Sequence, residues 1–188
     1  YMINNQCFID LINYKIGYKI YCFIRHKNHS NIILYGNSGV GKTTLIKALL
    51  YKLFDSNLRK ENIDDYVMYR GNNTYYFNCL NIHNKKSFIK YIKDIIQAYD
   101  HFNNQVKYII FDQFDSINEL LQGSLKVIIE KACHTSKFII ITNNYNKVIM
   151  PIKSRCISIK FPSPTKYDKY IYLNKYFKNQ NVFYNDFH

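Results

Sequence analysis

A parallel β-sheet covered by helices on both faces is the fold this sequence predicts, and two observations predict it. The first is the stretch from Asn31 to Leu50, where an apolar run (Asn31-Ile32-Ile33-Leu34-Tyr35) enters a glycine-punctuated loop and leaves it as a helical pattern. That loop, Gly36-Asn37-Ser38-Gly39-Val40-Gly41-Lys42-Thr43, matches G-x-x-x-x-G-K-T, and strand before with helix after is the context the phosphate-binding pattern requires. The second is that apolar runs too hydrophobic for one wet face alternate with amphipathic helical patterns, as strands and helices do in a buried parallel sheet.

Taken in order, Cys7 to Ile24 places Phe8, Leu11, Ile12, Ile16, Ile20 and Phe23 at spacings near three and four, predicting one amphipathic helix or two. The first strand is Asn31 to Tyr35, and Lys42 to Phe54 follows as a helix. Asp55 to Asn73 is polar and charged and reads as irregular. Thr74 to Asn78 is the second strand. Lys85 to Tyr99 is a helix with Phe88, Ile89, Ile92, Ile95 and Ile96 on its buried face. Lys107 to Phe111 is the third strand, Ile117 to Cys133 a helix, Lys137 to Thr142 the fourth strand and Cys156 to Phe161 the fifth. Pro162 and Pro164 mark a boundary, after which Lys166 to Lys178 has a helical pattern.

The loop carries the first chemistry. Its glycines let backbone N–H groups turn onto a polyphosphate, with the positive end of the next helix behind them. Gly36 to Thr44 is therefore the candidate nucleotide cradle, in which Lys42 reaches the β- and γ-phosphates and the Thr43 hydroxyl holds Mg²⁺. The third strand ends Phe111-Asp112-Gln113-Phe114-Asp115, and a hydrophobic strand ending in Asp supplies the second Mg²⁺ acid in such enzymes, so Asp112 is assigned that role. A carboxylate after it would polarise the attacking water. Gln113 stands there with similar shape and no useful basicity, so slow hydrolysis is expected, with Asp115 as the one substitute base. At the tip of the fourth strand Asn144 is the candidate γ-phosphate contact and Asn143 its rival.

Composition narrows the partners. The net charge of +13 favours a polyanion. The abundance of Asn, Lys, Ile and Tyr and the lack of Trp fit an AT-rich coding sequence, which accounts for part of the basicity. No apolar run is long enough to span a bilayer and no signal pattern opens the chain, so an intracellular protein without a membrane partner is expected. Cys7, Cys22, Cys79, Cys133 and Cys156 are scattered, which argues against zinc and disulfides. The opening Tyr1 and the abrupt end suggest an excerpt of a longer protein.

A more specific pattern lies at Pro151-Ile152-Lys153-Ser154-Arg155-Cys156. Ser-Arg-Cys preceded by Pro-Ile resembles the signature of the small subunits of replication factor C, the sliding-clamp loader of the AAA+ ATPases. Asp112-Gln113-Phe114-Asp115-Ser116 sits where that family has Asp-Glu-Ala-Asp-Ser, followed by Gln122, Leu125, Lys126 and Glu130 at the expected offsets. Thr142-Asn143-Asn144-Tyr145 looks like the family's sensor-1 tip, with Asn144 at the sensor position, and Phe77-Asn78-Cys79 resembles its Leu-Asn-Ala. The similarity covers about Asn31 to Asp186.

The resemblance implies a P-loop AAA+ domain over residues 1–162, with a five-stranded parallel sheet in the order 5-1-4-3-2, and the beginning of a helical lid over 163–188. It implies ATP and Mg²⁺ as cofactors, and sibling subunits, a sliding clamp and primer–template DNA as partners, at a nuclear site in a eukaryote or at a viral replication site. Arg155 would be a finger offered to the neighbouring subunit's ATP. Lys85, Lys86, Ser87 and Lys90 on one helix, and Ser124 and Lys126 around the N-terminal end of another, would meet DNA phosphates. Gln113 replaces the family's catalytic Glu, and the lid's sensor-2 arginine and the collar lie beyond the chain. An origin-recognition or helicase-loading ATPase and a non-hydrolysing nucleotide-binding scaffold are the alternatives; a small-molecule kinase should show lid arginines that are not found.

Overall fold

The computed structural model describes residues 13–26, 29–54, 58–63, 66–82, 84–98 and 106–179. Six helices and seven strands follow one another among these residues: α1 (Tyr14–Arg25), β1 (Asn31–Tyr35), α2 (Lys42–Phe54), β2 (Arg59–Ile63), β3 (Tyr66–Arg70), β4 (Thr74–Asn78), α3 (Lys85–Gln97), β5 (Lys107–Asp112), α4 (Glu119–Lys131), β6 (Ser136–Thr142), α5 (Met150–Lys153), β7 (Cys156–Lys160) and α6 (Lys166–Asn179). The strands form one sheet in the order β2-β3-β4-β5-β6-β1-β7. From β4 to β7 all neighbours pair in parallel. These are the five expected strands in the expected order.

The expectation of an irregular stretch over Asp55 to Asn73 is wrong. Arg59–Ile63 and Tyr66–Arg70 make an antiparallel hairpin that adds to β4 and extends the sheet to seven strands. Its charges concealed it. Arg59, Lys60 and Glu61 face water or lie at the margin of the outermost strand, while Met68 of β3 is fully buried opposite Phe77 of β4. Charged edge strands are one means by which sheets avoid unwanted pairing. The part of the first predicted helix before Asn13 lies outside the described residues.

Alternation along the strands divides the core. Ile32, Leu34, Ile110, Ile139 and Ile141 pack with Ile20 and Ile24 of α1 and with Leu45, Ile46 and Leu49 of α2. Ile33, Phe77, Ile109, Phe111, Phe138 and Ile140 face the other way onto Phe88 and Ile92 of α3 and Leu125 and Ile129 of α4. In this second layer Phe77 meets Phe88 edge-on with ring centroids 5.4 Å apart, and Phe111 stacks on Phe138 at 6.1 Å. Truncating such a fully buried Phe to Ala typically costs about 3–5 kcal/mol.

Asparagines precede three of the helices. The Asn84 side chain accepts from the Lys86 and Ser87 amides at α3, and Asn118 accepts from Leu121 N at α4. Asn13 sits just before α1 at φ 71° and sends its Nδ2 to the Val40 carbonyl, 3.1 Å away. That bond fastens the start of α1 to the loop after β1.

Candidate nucleotide site

Because β1, β4, β5 and β6 run in parallel, their C-terminal ends lie together, and the segments leaving β1, β5 and β6 build one cleft. Ser38, Gly39, Gly41, Lys42, Thr43, Thr44, Asp112, Gln113, Ile141 and Asn143 line it. The loop from Gly36 to Gly41 needs its glycines for two reasons. Gly39 and Gly41 have φ of +79° and +89°, in the left-handed region. At Gly36 a Cβ would lie 2.5 Å from the Phe161 carbonyl oxygen, so the backbone after β7 can approach β1 only because no side chain is there.

Lys42, 5% exposed, folds back over this loop. Its Nζ donates to the carbonyls of Gly36 and Asn37 at 2.8 Å each and to Asn143 Oδ1 at 2.9 Å. Burial lowers its pKa, and the charges of Asp112 and Asp115 oppose that. An ammonium whose hydrogen bonds end on neutral oxygens suits an anion that can take their place, and the loop amides beside it are phosphate donors.

Thr43 and Asp112 meet at the floor of the cleft. The Thr43 hydroxyl donates to Asp112 Oδ2 at 2.9 Å, and Asp112 Oδ1 accepts the Gln113 N–H at 2.8 Å. Tyr76 on β4 adds a buried hydroxyl that also donates to Asp112 Oδ2. Burial, then the Asp112 charge, push the Tyr76 hydroxyl far above its ordinary pKa, so it stays a donor. One hydroxyl and one carboxylate are the protein ligands Mg²⁺ commonly takes when phosphates and water complete its shell. The residues present fit a magnesium nucleotide.

Gln113 lines the cleft in a left-handed conformation, φ 54° and ψ 46°, which few non-glycine residues adopt. Its N–H is held by Asp112 and its carbonyl by Ser116 N and Oγ. Asp115 turns elsewhere: its Oδ1 accepts from Thr142 Oγ1 at 3.0 Å and Asn143 N at 2.9 Å, fastening the end of β6.

At that end the two asparagines separate. Asn143 faces Lys42 in the cleft, while the Asn144 side chain accepts from Asn146 N and caps a short turn. Arg155 lies away from the loop. In the β1–β7 register Cys156 pairs with Asn31 and Lys160 with Tyr35, so Arg155 precedes the strand at its far end, about 16 Å from the loop at ~3.3 Å per residue. Its guanidinium donates to Pro151 O at 2.8 Å, to Ser154 Oγ at 3.3 Å and to Glu130 at 3.2 Å, with a third of the side chain exposed.

Lys85, Lys86 and Lys90 are exposed and Ser87 half-buried at the start of α3, which follows the C-terminal end of β4. The expected placement of Ser124 and Lys126 at a helix N-terminus needs correction. α4 begins at Glu119 with that acidic residue in its first turn, and both residues lie in mid-helix. Tyr76 and Asn13 were not singled out in the sequence; the signal for Tyr76 is its register, since Asn78 pairs with Asp112 and period two puts Tyr76 on the same face.

A family model described as DNA polymerase III, delta subunit, matches residues 22–165. The chain belongs to this clamp-loader family. It is 30% identical over 138 residues to the probable replication factor C subunit 5 of Dictyostelium discoideum, covering 72% of this chain and 36% of that protein. It is 26% identical over 165 residues to the replication factor C small subunit of Aeropyrum pernix, covering 87% of this chain and 47% of that protein. The chain thus spans half or less of the length of these relatives. Among solved structures, RuvB of Thermotoga maritima superposes with a TM-score of 0.63 at 14% identity, over 89% of this chain and 50% of RuvB. The fold is that of the AAA+ ATPases.

Proposed function

We infer that the chain is the ATP-binding module of a replication factor C small subunit, acting in clamp loading during DNA replication. The observation that carries this reading is the buried Lys42 ammonium, bound to neutral oxygens beside the Thr43–Asp112 pair. The loop amides and Lys42 would bind the polyphosphate, and Thr43 with Asp112 would hold Mg²⁺, which when bound supplies charge neutralisation at the β- and γ-phosphates. Asn143, fixed through its backbone by Asp115, orients Lys42, and Asn144 keeps the turn that carries it.

Gln113 lacks the basicity to take a proton from water, so this module hydrolyses ATP slowly by itself. Arg155 is too far from its own loop to serve it and stands partly exposed, which suits a finger given in trans to a sibling subunit's ATP. A non-hydrolysing scaffold that presents Arg155 is the second reading, and the engagement of Asp115 with β6 favours it.

Residues 1–162 are assigned to the AAA+ domain and 163–188 to the start of the lid, with the break at Pro162 and Pro164. Lys85, Lys86, Ser87 and Lys90 at the head of α3, with Lys126 on α4, are assigned to DNA phosphates, which position a duplex without reading its sequence. The partners proposed are sibling subunits, a sliding clamp and primer–template DNA. The site of action is inside the cell, nuclear in a eukaryote or at a viral replication site. No described helix is long and apolar enough to cross a membrane.

Equilibrium binding of ATP and single-turnover hydrolysis test this reading, with Lys42→Ala as control. Mg²⁺-dependent binding that is lost in Lys42→Ala, with slow turnover, is expected. Failure of the parent chain to bind ATP would overturn it.

A further inference from the structure

Asp112 is 5% exposed and accepts more hydrogen bonds than its place at a strand end requires. A carboxylate offers about four lone-pair sites. On Oδ2, one is taken by the Thr43 hydroxyl and one by the Tyr76 hydroxyl; on Oδ1, one is taken by the Gln113 N–H. That leaves a single site, on Oδ1. Thr43 is itself a cation ligand in the proposed function, but Tyr76 is not: it competes for the acid without contributing an oxygen to the metal.

The Tyr76 hydroxyl has little freedom to swing away. The residue is 3% exposed, its ring packs edge-on against Tyr69 at 5.8 Å between centroids, and Lys47 from α2 places its Nζ 4.9 Å over the Tyr76 ring and 5.6 Å over that of Tyr69. The ammonium over the two rings adds a cation–π contact that helps hold the Tyr76 ring where it is. Asp112, by contrast, keeps Thr43, Gln113 and its own strand if Tyr76 is lost.

We propose that Tyr76 is a positioning residue that sets Mg²⁺ affinity: by filling one lone pair of Asp112 Oδ2 it confines the acid to one remaining site and weakens its hold on the cation. This rests on the nucleotide reading above. Its consequence is a site that takes magnesium nucleotide less tightly than the same loop would with an apolar residue on β4.

The test is a titration of a fluorescent ATP analogue against the chain in EDTA and at rising MgCl₂, in the parent, Tyr76→Phe and Tyr76→Met, with unfolding midpoints to verify that each variant is folded. Tyr76→Phe and Tyr76→Met remove a hydroxyl that draws negative charge from Asp112 in both the metal-free and the metal-bound site, so the half-saturating Mg²⁺ concentration should fall several-fold. The ratio of nucleotide affinity with and without Mg²⁺ should rise by the same factor. Both variants should shift alike. Half-saturation unchanged or raised in a folded variant overturns the role of Tyr76 while leaving the nucleotide site standing. Absence of Mg²⁺-dependent nucleotide binding in the parent overturns the nucleotide reading and this proposal together.

Discussion

Lys42 and Asn143, 101 residues apart in the chain, meet with Nζ 2.9 Å from Oδ1. This bond ties the first helical residue after the phosphate loop to the residue that follows β6. Because Asp115 holds the Asn143 backbone, the two ends of the cleft are fixed by one short chain of polar contacts.

The neighbouring asparagines should therefore respond differently to truncation. Asn143→Ala is expected to slow single-turnover hydrolysis more than it weakens nucleotide affinity, since Lys42 keeps its two backbone acceptors. Asn144→Ala should lower stability by about 1 kcal/mol through loss of a capping bond. Urea unfolding beside single-turnover rates separates the two; equal kinetic defects would contradict the assignment.

Gln113→Glu places a base where the cleft has an amide. A positioned general base is worth roughly 10²–10⁴ in rate, so at least tenfold faster single turnover is expected from the variant. An unchanged rate would show that water activation is not what limits the parent. The left-handed backbone at this position is held by Asp112 and Ser116 and does not depend on the side-chain amide.

His29 gives a pH dependence whose sign follows from its surroundings. Its Nδ1 is 2.8 Å from the Ser30 carbonyl, which only accepts, so Nδ1 carries the proton and the Tyr108 hydroxyl donates to Nε2 at 3.2 Å. Burial lowers its pKa, and the Lys137 charge adds to this against the Ser30 bond. Below the ordinary value of 6.5 the unfolded chain takes up a proton that the folded one resists, so stability falls as pH drops through that value. Urea midpoints at pH 7.5 and 5.5 should differ less in His29→Gln than in the parent.

Lys107 is 8% exposed at the start of β5 and donates to the Ile95 carbonyl at 2.5 Å and the Ala98 carbonyl at 2.8 Å, at the C-terminal end of α3. Lys107→Met keeps the stem and removes the ammonium. Leaving the buried Ile95 carbonyl without this donor costs about 1–3 kcal/mol, while water can replace the ammonium at the exposed Ala98, so a loss of about that size is expected in urea unfolding. Hydrogen exchange should report it first in α3.

The parallel core was legible because each strand is a short apolar run bounded by turn residues, and because Gly36 to Thr43 fixes the direction of β1 into α2. The hairpin was not, since Arg59, Lys60 and Glu61 follow the rules of an edge, where water rather than packing selects side chains. Within the site, a strand tip flips its side chains with each residue, so sequence alone leaves both Asn144 and Asn143 as candidates; in the structure Asn143 meets Lys42 and Asn144 caps the following turn. Tyr76 needed the pairing of β4 with β5, which links residues far apart in sequence and leaves no local pattern.

The hairpin also makes the two borders of the sheet unlike. At β2 the outermost strand presents Arg59 and Lys60 to water, a border at which an incoming strand would meet fixed charge. At β7 the border carries the exposed Ile157 and Ser158, with the exposed Lys160 at its end. Among the described residues, an incoming strand meets two adjacent charges at β2 but Ile157 and Ser158 ahead of a single terminal lysine at β7, so strand addition is opposed more strongly at the first border than at the second.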